Sequence, residues 1–449
     1  MNTFYNTAGT GEVNDNEPFG NNPFVTIPAD VDRNPFRLVL DDLVSVLHLR
    51  NLLARIILPL GPLISEELDE LYPSWSNIQD LTLHAILLVT QLTLIISLPV
   101  LGIIFWLVPG IVPVIFVVTF WVATWIVMRL LNGWPTTECL VGLPDGLEPV
   151  NDEKELWFFI NGVATGKNWL QSNLNLLART FQREIVGIHN TTNGFIFDLL
   201  ECLLQRDLDY KSRDIRQSRA QLRAALAAPA TRKVVLILHS QGGIEGSSIL
   251  DWLLADLSHE VVAKLEIFTF GNAARHFNNP LVSKPSSPLV DESRGGRGER
   301  VIKHIEHYAN TRDFVANIGV LQFTSPQAQP YADGNAFFGR VFVREGTGHL
   351  LNMHYLDKMF TLVNGRVDDS GNKFMNSKIA KKQDTRTAPF RAELTAFRAS
   401  RPHNASQNGH EPQQMVKDVS RLWQYRNGLQ PADENGVPPE RTIPPPLPS

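Results

Sequence analysis

Cysteine is nearly absent from this chain, which has only Cys139 and Cys202 among its 449 residues. Two cysteines exclude a disulfide framework and suit a protein that stays in a reducing compartment. The first residues also lack a basic segment followed by an apolar stretch, so we predict no cleavable signal peptide. Any targeting to a membrane is therefore expected to come from inside the chain.

A basic surplus is missing as well, because 41 Lys and Arg are outnumbered by 46 Asp and Glu, for a formal net charge of -5 at pH 7. A chain with this balance has no broad basic field that would attract phosphates. Nucleic acid is therefore not predicted as a partner.

Charge of either sign is missing between Leu81 and Met128, where no Asp, Glu, Lys or Arg occurs. One helical crossing of a hydrocarbon core of ~30 Å takes about 20 residues, so this run is long enough to cross a membrane twice. Pro109, Gly110 and Pro113 are expected to lie in the turn between the two halves. The run predicts a transmembrane or membrane-embedded helical hairpin over residues 81–131, with a buried pair of core helices as the alternative.

The residues beside the apolar run do not fix its orientation. Acidic residues lie just upstream, Arg129 is the nearest cation downstream, and the positive-inside rule depends on Lys and Arg. The turn contains no polar residue, so the hairpin can also stay inside the bilayer with both flanks in one compartment. An intracellular membrane with the remaining chain in the cytosol is the default prediction.

The two ends of the chain are polar. Residues 1–33 are expected to form a flexible arm, and residues 366–449 a mostly disordered tail rich in Lys and Arg. In residues 34–62, by contrast, polar side chains recur at helical spacing opposite a face of Leu, Val and Ile, and Asn34 with Pro35 predicts the start of this amphipathic helix. Its apolar face could equally pack on the protein or lie on a membrane surface.

Residues 147–365 alternate short β-rich runs with helical ones, as is typical of a mostly parallel sheet flanked by helices. A polar, proline-containing stretch at 278–300 is expected to be a disordered insertion or a lid. Functional side chains are expected at the carboxyl ends of the strands, because sites in parallel sheets form there.

The clearest motif is KVVLILHSQGG, which predicts a strand, a tight turn at Ser240 and a helix. A serine at such a turn is a candidate nucleophile, and the helix N-terminus offers N–H groups to a developing oxyanion. The usual spacing is G-x-S-x-G. Here Gly242 holds the second glycine position, whereas Leu238 replaces the first, so a neighbouring element must leave room for a large side chain. An ordinary strand-to-helix turn is the alternative interpretation.

The partners of Ser240 are expected to follow it in the order acid, then histidine, each after a later strand. Asp313 comes directly after the predicted strand VIKHIEHYANTR, and His349 follows GRVFVREGTG in a glycine-flanked loop. The imidazole has to take the serine proton, and the carboxylate has to orient the imidazole and stabilise its cation. We therefore predict Asp313 as the acid and His349 as the base.

Other titratable residues near these strands are interpreted as structural: His239, His304, Glu306, His307 and His354. His349 and His354 are five residues apart, which is not the i,i+4 spacing of a helical metal pair, and the glutamate of H-E-x-x-H does not accompany them. We predict no metal and no other cofactor.

An oxyanion hole needs one N–H donor from the residue after the nucleophile and another from the loop after an earlier strand. Gln241 is the first predicted donor. The second is expected in LWFFINGVATG, where we predict the N–H of Val163. The His-Gly pair usual in this loop is replaced by Asn161 and Gly162, and an ordinary glycine turn is the alternative interpretation.

Through LHSQGG, the ING turn, Asp313 after a strand and the pair Gly348-His349, the chain resembles the α/β-hydrolase superfamily and, within it, lipase-like serine esterases. It also resembles membrane-bound proteins of filamentous fungi that join an apolar hairpin to such a domain. The resemblance implies an α/β-hydrolase-type sheet preceded by the transmembrane hairpin. It further implies ester, thioester or acyl-transfer chemistry without a cofactor, but it names no substrate.

These features together predict a membrane-anchored serine hydrolase, a carboxylesterase or lipase acting on lipid-like esters delivered from the bilayer. An acyltransferase would use the same three residues with an alcohol in place of water. A membrane scaffold that keeps the fold without activity is the alternative outside enzymes, because Leu238 and Asn161 depart from the usual motifs. The sequence indicates no particular protein partner.

Overall fold

The structure is a computed structural model, which describes residues 34–58, 66–134, 139–144, 154–282, 299–324, 337–379, 396–398 and 414–431. In these ranges the chain forms a mostly parallel sheet flanked by helices, and two long apolar helices precede it. The predicted α/β class and the predicted apolar helix pair are therefore confirmed. The predicted arm at 1–33 lies outside the described residues.

Ten strands occur in the described ranges: β1 (Leu140–Gly142), β2 (Glu155–Ile160), β3 (Ile185–Ile188), β4 (Lys233–His239), β5 (Leu265–Phe270), β6 (His304–Arg312), β7 (Arg340–Thr347), β8 (Leu362–Val363), β9 (Arg366–Val367) and β10 (Ala396–Arg398). Eight of them form one sheet in the order β1-β3-β2-β4-β5-β6-β7-β10. Within it β1 is antiparallel to β3, and the other neighbours are parallel. A separate antiparallel pair is formed by β8 and β9.

The α-helices of the described ranges are α1 (Pro35–His48), α2 (Arg50–Leu53), α3 (Trp75–Ile104), α4 (Ile111–Asn132), α5 (Lys167–Phe181), α6 (Phe195–Asp207), α7 (Arg213–Ala227), α8 (Gln241–Asp256), α9 (His259–Val262), α10 (Phe314–Ile318), α11 (Val320–Thr324), α12 (Asp357–Met359) and α13 (Val416–Val419). Two 3-10 helices cover Ala54–Ile56 and Leu422–Gly428, and a π-helix covers Leu351–Leu356. Helical crossovers of this kind are what parallel strands need as connections.

The sheet divides the core into two layers, because successive side chains of a strand point to opposite faces. Along β4, Val235 and Ile237 belong to the layer that includes α5, whereas Val234, Leu236 and Leu238 belong to the layer that includes α7 and α8. Burial on both faces explains why β4 is a continuous apolar run. Ser240 therefore follows the end of a strand held firmly from both sides.

The helices α3 and α4 pack against each other as a hairpin, and Pro109 and Gly110 directly precede α4 as predicted. Pro113 lies in the first turn of α4 and not in the connection, because proline is tolerated where a helix begins. Both helices are long and apolar enough to cross a membrane, with a mean hydropathy of 2.3 and 2.4, and nearly all of their side chains are exposed to some degree. The first helix begins at Trp75, before the predicted start at 81, because the side chain of Ser74 caps it by accepting a hydrogen bond from the Asn77 N–H (3.2 Å).

The first half of α3 is fixed to the α/β domain by its few polar side chains. Asn168 of α5 donates a hydrogen bond to Asp80 (2.9 Å). Further along the helix, Gln91 Nε2 donates to the carbonyl of Asn193 (2.6 Å), just before α6. The base of the hairpin is thus part of the domain, whereas its distal half projects from it.

The helix α1 begins where predicted, because Asn34 Oδ1 accepts a hydrogen bond from the Phe36 N–H (3.0 Å) and Pro35 is the first helical residue. Leu38 and Asp42 are buried against the domain. The apolar stripe on the other side is exposed. The predicted amphipathic segment therefore packs on the protein through one face only, and residues 59–62 of it lie outside the described ranges.

The sheet extends beyond the predicted domain limits of 147 and 365, because β1 and β10 lie outside them. The predicted insertion at 278–300 is held at its two ends by a bridge between Leu281 and Arg300, while residues 283–298 lie outside the described ranges.

The described parts of the predicted tail are not disordered. Their buried side chains complete the core layer beside α5: Val367, Phe374, Met375, Ile379, Val416, Leu422, Trp423 and Tyr425. The Tyr425 hydroxyl donates to Glu266 (2.7 Å), and Arg421 Nη2 donates to the same carboxylate (2.9 Å). The prediction of a disordered tail is therefore wrong for residues 366–379 and 414–431. A few apolar and aromatic residues in a polar sequence pack on one face of the sheet and hold these segments in place.

Candidate active site

Ser240 lies at a sharp turn between the end of β4 and the start of α8. Its φ of 57° and ψ of -120° fall where residues other than glycine are rare, at a cost on the order of 1–3 kcal/mol. Three backbone hydrogen bonds hold this conformation: the Ser240 N–H donates to the carbonyl of Phe270 (3.1 Å), and the Ser240 carbonyl accepts from the N–H groups of Gly243 (2.9 Å) and Ala273 (3.2 Å). Strain of this kind is typical of functional sites.

The large residue at position 238 is accommodated by a glycine on the following helix. Leu238 is fully buried, and a β-carbon at position 246 would lie 2.2 Å from its Cδ1 atom. Gly246 therefore provides the room that a glycine at 238 would otherwise leave. At the second motif position, a β-carbon on Gly242 would lie 2.5 Å from the carbonyl oxygen of Ile160, so this position needs glycine as well.

Asp313 and His349 are brought together from the ends of β6 and β7. The Nδ1 atom of His349 lies 2.8 Å from Oδ2 of Asp313, which places the Nδ1 proton on the imidazole as donor. The other oxygen of Asp313 caps α10 by accepting from the N–H of Val315 (2.8 Å). The carboxylate also accepts a hydrogen bond from the hydroxyl of Tyr355 (2.5 Å).

Tyr355, which was not predicted from the sequence, is a hydrogen-bond donor to Asp313. It lies in the π-helix after His349, and burial together with the neighbouring Asp313 carboxylate raises the pKa of Tyr355 well above its ordinary value. The phenol therefore stays protonated and remains a donor to the carboxylate. A tyrosine six residues after a histidine has no recognisable spacing signal, so sequence reasoning offered no way to assign it this contact.

The ends of β4 and β5 place Ser240 next to Gly271, which in turn lies against His349 and Asp313. The last pair in the register of these strands is His239 with Phe270, so Ser240 and Gly271 follow side by side. A β-carbon on Gly271 would lie 2.8 Å from His349 Cε1 and 2.9 Å from Asp313 Oδ2. The absence of a side chain at Gly271 thus leaves space for the imidazole and the carboxylate beside the serine.

The second ring nitrogen of His349 is available for proton transfer. Its Nε2 atom is buried and has no hydrogen-bond partner among the described residues. His239, which adjoins the serine, stacks on His349 at 4.8 Å between ring centroids, and its Nε2 hydrogen-bonds the His349 carbonyl (2.8 Å). Burial holds the pKa of His239 well below its ordinary value, so this neighbour stays neutral and acts as a support.

The predicted oxyanion loop passes directly beside Ser240. A β-carbon on Gly162 would lie 2.5 Å from Ser240 Cβ and 3.0 Å from its Oγ, so only glycine fits there. Val163 lies in the same loop, and Gln241 is the first residue of α8. Within the described part of the chain, neither backbone N–H donates a hydrogen bond. Two unused N–H donors near a serine are the components of an oxyanion hole.

Amide side chains connect Asn161, in the loop of Val163, with Gln241. Asn161 accepts from the N–H of Asn190 (2.9 Å) and donates to its carbonyl (2.8 Å). Asn190 Nδ2 in turn donates to Gln241 Oε1 (2.8 Å), and Gln241 Nε2 donates to Gln205 Oε1 (3.0 Å). The departure from His-Gly at Asn161 is therefore matched by a hydrogen-bond network that holds the loop beside the start of α8.

His307, His354 and Glu306, three of the residues interpreted as structural, lie in buried settings that agree with this interpretation. His307 is buried, and its ring bonds Thr269 Oγ1 (2.8 Å) and the carbonyl of Phe338 (3.0 Å); burial lowers its pKa to about 4. His354 is buried and accepts from the N–H of Leu350 (3.1 Å). Glu306 accepts two backbone N–H bonds of the chain beyond residue 420 (2.6 and 3.1 Å).

The site is covered by the segment that follows α1. The carbonyl of Ile56 accepts a hydrogen bond from the backbone N–H of His349 (3.0 Å). This contact was not predicted, because no local sequence pattern links residues so far apart in the chain. Ser240, Asp313 and His349 are only 3%, 0% and 4% exposed. The three side chains are therefore shielded from bulk water. Electrostatic interactions between them are stronger there than they would be in water.

The arrangement can perform nucleophilic catalysis with a general base. It combines a serine on a strained turn, an imidazole oriented by a carboxylate and N–H donors beside the serine. In the described ranges no group of three or more His, Cys, Asp or Glu side chains is placed to hold a metal ion. Neither a scan against models of protein families nor a search of curated proteins returns a match to this chain.

Proposed function

We propose that this protein is a membrane-anchored serine hydrolase of the α/β-hydrolase type, which cleaves a carboxylic ester of a lipid-like substrate. The observation that carries the proposal is the hydrogen bond of 2.8 Å between Asp313 and His349, at the same edge of the sheet as Ser240 on its strained turn. Among the described residues no hydrogen bond joins His349 Nε2 to Ser240 Oγ, so Nε2 is left open to take a proton. A serine hydroxyl is a poor nucleophile until an imidazole takes its proton, and we assign this role to His349.

The reaction begins when Ser240 Oγ attacks the ester carbonyl while His349 Nε2 takes the hydroxyl proton. The negative charge on the carbonyl oxygen is then stabilised by the N–H groups of Val163 and Gln241. Asp313 keeps the proton on Nδ1 and stabilises the imidazolium. The imidazolium protonates the leaving alcohol, and water releases the acyl group from Ser240 in a second, equivalent round.

The hairpin of α3 and α4 supports a membrane location, and we propose a lipid-like ester as substrate because the same membrane would supply it. Both ends of the hairpin join the same domain, through Gln91 of α3 and through Asn132 of α4, whose side chain bonds both backbone groups of Thr192 (2.7 and 3.0 Å). We propose an intracellular membrane with the catalytic domain in the cytosol.

Labelling by a fluorophosphonate tests the activated serine. In this reaction Ser240 Oγ forms a bond to phosphorus, fluoride leaves, and the proton passes to His349. The detergent-solubilised full chain is expected to be labelled, Ser240→Ala to lose the label entirely, and His349→Ala to react at least about a thousandfold more slowly.

The matched control is Ser248→Ala, which removes another buried serine from the same helix α8 and is expected to keep the label. Thermal unfolding of each variant establishes that it is folded. A folded wild type that stays unlabelled would contradict the hydrolase proposal and favour an inactive scaffold. Product analysis with and without an added alcohol then separates hydrolysis from acyl transfer.

A further inference from the structure

The helix α1 carries an apolar stripe that faces away from the domain. Its members recur at i, i+4, i+7, i+8 and i+11, and Phe36 and Leu47 are 81% and 63% exposed. The exposed side chains of the stripe are Phe36, Leu40, Leu43, Val44 and Leu47. A contiguous apolar face of this kind marks an interaction site in a folded protein.

The orientation of α1 is fixed by buried charges on its opposite face. Asp42 pairs with Arg206 of α6 (3.0 Å) and with Arg275 (2.9 Å), and all three side chains are largely buried. Breaking such a buried network would leave uncompensated charges, which is costly. The exposed stripe is therefore a fixed feature of the folded chain.

The stripe continues towards the hairpin through α6. This helix packs on both α1 and α3, and its first two turns expose Phe195, Phe197, Leu199 and Leu200. The bond from Gln91 to the carbonyl of Asn193 joins α3 to the residue just before Gly194, the N-cap of α6. Exposed apolar side chains thus occur on α3, on the start of α6 and on α1, and α6 packs on the other two helices.

The length of the projecting part of the hairpin indicates where the domain lies. Gln91 is the last buried residue of α3, and the remaining residues, Leu92 to Ile104, span ~20 Å at 1.5 Å per residue. A bilayer has a hydrocarbon core of ~30 Å. The part of α3 beyond the domain is shorter than this core, so insertion of the whole of α3 brings the domain against the lipid.

We infer that the exposed faces of α1 and α6 lie in the lipid headgroup and acyl boundary of the leaflet that holds the hairpin. The inference rests on the proposed membrane role of α3 and α4. The segment after α1 contacts the candidate site through the bond from the His349 N–H to the Ile56 carbonyl. This surface therefore places the site against the leaflet, so that the ester is carried by a lipid of that leaflet and reaches Ser240 without passing through water.

The charges beside the stripe suit an anionic leaflet. Arg37 is exposed next to the stripe, Arg50 is exposed just beyond α1, and Asp41 is the one partly exposed acid of this helix. Interfacial helices combine an apolar face with flanking cations in this way, and they bind anionic lipids more strongly. We expect phosphatidylserine to strengthen the contact.

Depth-dependent quenching tests the surface. In a full chain with both native cysteines changed to serine, a fluorophore is attached to Leu40→Cys or Leu199→Cys, and the protein is inserted into phosphatidylcholine and phosphatidylserine vesicles. Lipids with a nitroxide high on the acyl chain are expected to quench the fluorescence of both labels. Iodide in the aqueous phase is expected to quench neither of them. Val117→Cys in the hairpin is the positive control, and Val363→Cys on β8, of similar exposure, is expected to respond only to iodide.

The outcomes separate this surface from the proposed function. Quenching at Val117→Cys but iodide access at Leu40→Cys and Leu199→Cys would overturn the surface and keep the hairpin. Protection from iodide without lipid quenching, together with energy transfer between labelled chains, would assign the face to a second copy and also overturn it. Iodide access at all four positions would remove the membrane premise itself.

A rate measurement completes the test. The double variant Leu40→Gln with Leu47→Gln is expected to cleave a long-chain ester in vesicles about tenfold more slowly, because apolar contact with the leaflet is lost. Its rate on a soluble short-chain ester is expected to stay unchanged, as is that of Val363→Gln on both esters. Equal losses on both esters would overturn the surface, whereas no turnover by the wild type with normal quenching would overturn only the hydrolase proposal.

Discussion

The contact between Gly246 and Leu238 gives the sharpest prediction about the nucleophile turn. The substitution Gly246→Ala places a β-carbon 2.2 Å from Leu238 Cδ1 and 3.2 Å from its Cγ. Leu238 is fully buried on β4, two residues before Ser240, so it cannot move aside without displacing its neighbours. The clash is therefore expected to disturb both the stability of the fold and the position of the nucleophile.

The magnitude is a balance of two effects. Alanine is better than glycine inside a helix by about 1 kcal/mol, whereas overpacking a core typically costs ~1–3 kcal/mol. Gly246→Ala alone is therefore expected to destabilise the protein by up to about 2 kcal/mol. In a Leu238→Ala background, which itself costs ~2–5 kcal/mol, the clash is gone and the same substitution should stabilise by about 1 kcal/mol.

The assay is a double-mutant cycle followed by thermal unfolding in detergent, where 1 kcal/mol corresponds to about 2–4 °C for a domain of this size. Gly246→Ala should lower the midpoint in the wild-type background and raise it in the Leu238→Ala background. The rate of fluorophosphonate labelling of Ser240 should fall in the single variant Gly246→Ala and recover in the double variant. Equal, additive shifts in both backgrounds would refute the argument that Gly246 makes room for Leu238.

Three further predictions concern the site and a remote acid pair. Tyr355→Phe removes a hydrogen bond to the Asp313 carboxylate that is worth ~1.5–3 kcal/mol, so labelling should slow about tenfold or more, and an unchanged rate would count against a role for this phenol. Because glycine adopts the conformation of Ser240 without strain, Ser240→Gly should be more stable than Ser240→Ala by about 1 kcal/mol in thermal unfolding, and equal midpoints would disprove the strain. Burial and the neighbouring Asp69 raise the pKa of Asp357 from 3.8 to about 8, so the folded protein keeps a proton that the unfolded chain loses. Wild-type stability should therefore fall as the pH rises from about 4 to 8, and Asp357→Asn should flatten this fall in midpoints measured across that range.

The order of the site residues was predictable because it depends on local patterns. A buried strand followed by a serine and two glycines specifies the turn within a few residues, and Asp313 and His349 each follow a strand of the same parallel sheet. Parallel strands end at one edge, so residues just after them come together without further information. What the sequence could not specify was the pairing of Leu238 with Gly246, since it depends on how α8 lies against β4.

The order in the described part of the tail was not predicted, because composition describes a segment as a whole. A few individual residues are enough to anchor such a segment in the core. Residues 414–431 are polar overall, yet Leu422, Trp423 and Tyr425 are buried, and Arg421 pairs with the buried carboxylate of Glu266. A charged residue can be buried where an opposite charge pairs with it. The partner of Arg421 is Glu266 on β5, which is far away in the sequence. Polar composition therefore predicts disorder only where no distant strand offers such a partner.

The helix α1 illustrates the same limit at the surface. Its periodicity separates a polar face from an apolar face, and burial of the apolar face is the ordinary expectation for a helix on a globular domain. In the structure the buried face contains Leu38 and the charged Asp42, and the richer apolar face is exposed. This inversion depends on Arg206 and Arg275, which neutralise Asp42 from two other parts of the chain. A buried acid with two cationic partners fixes the helix, and the apolar stripe is thereby left free for a lipid surface.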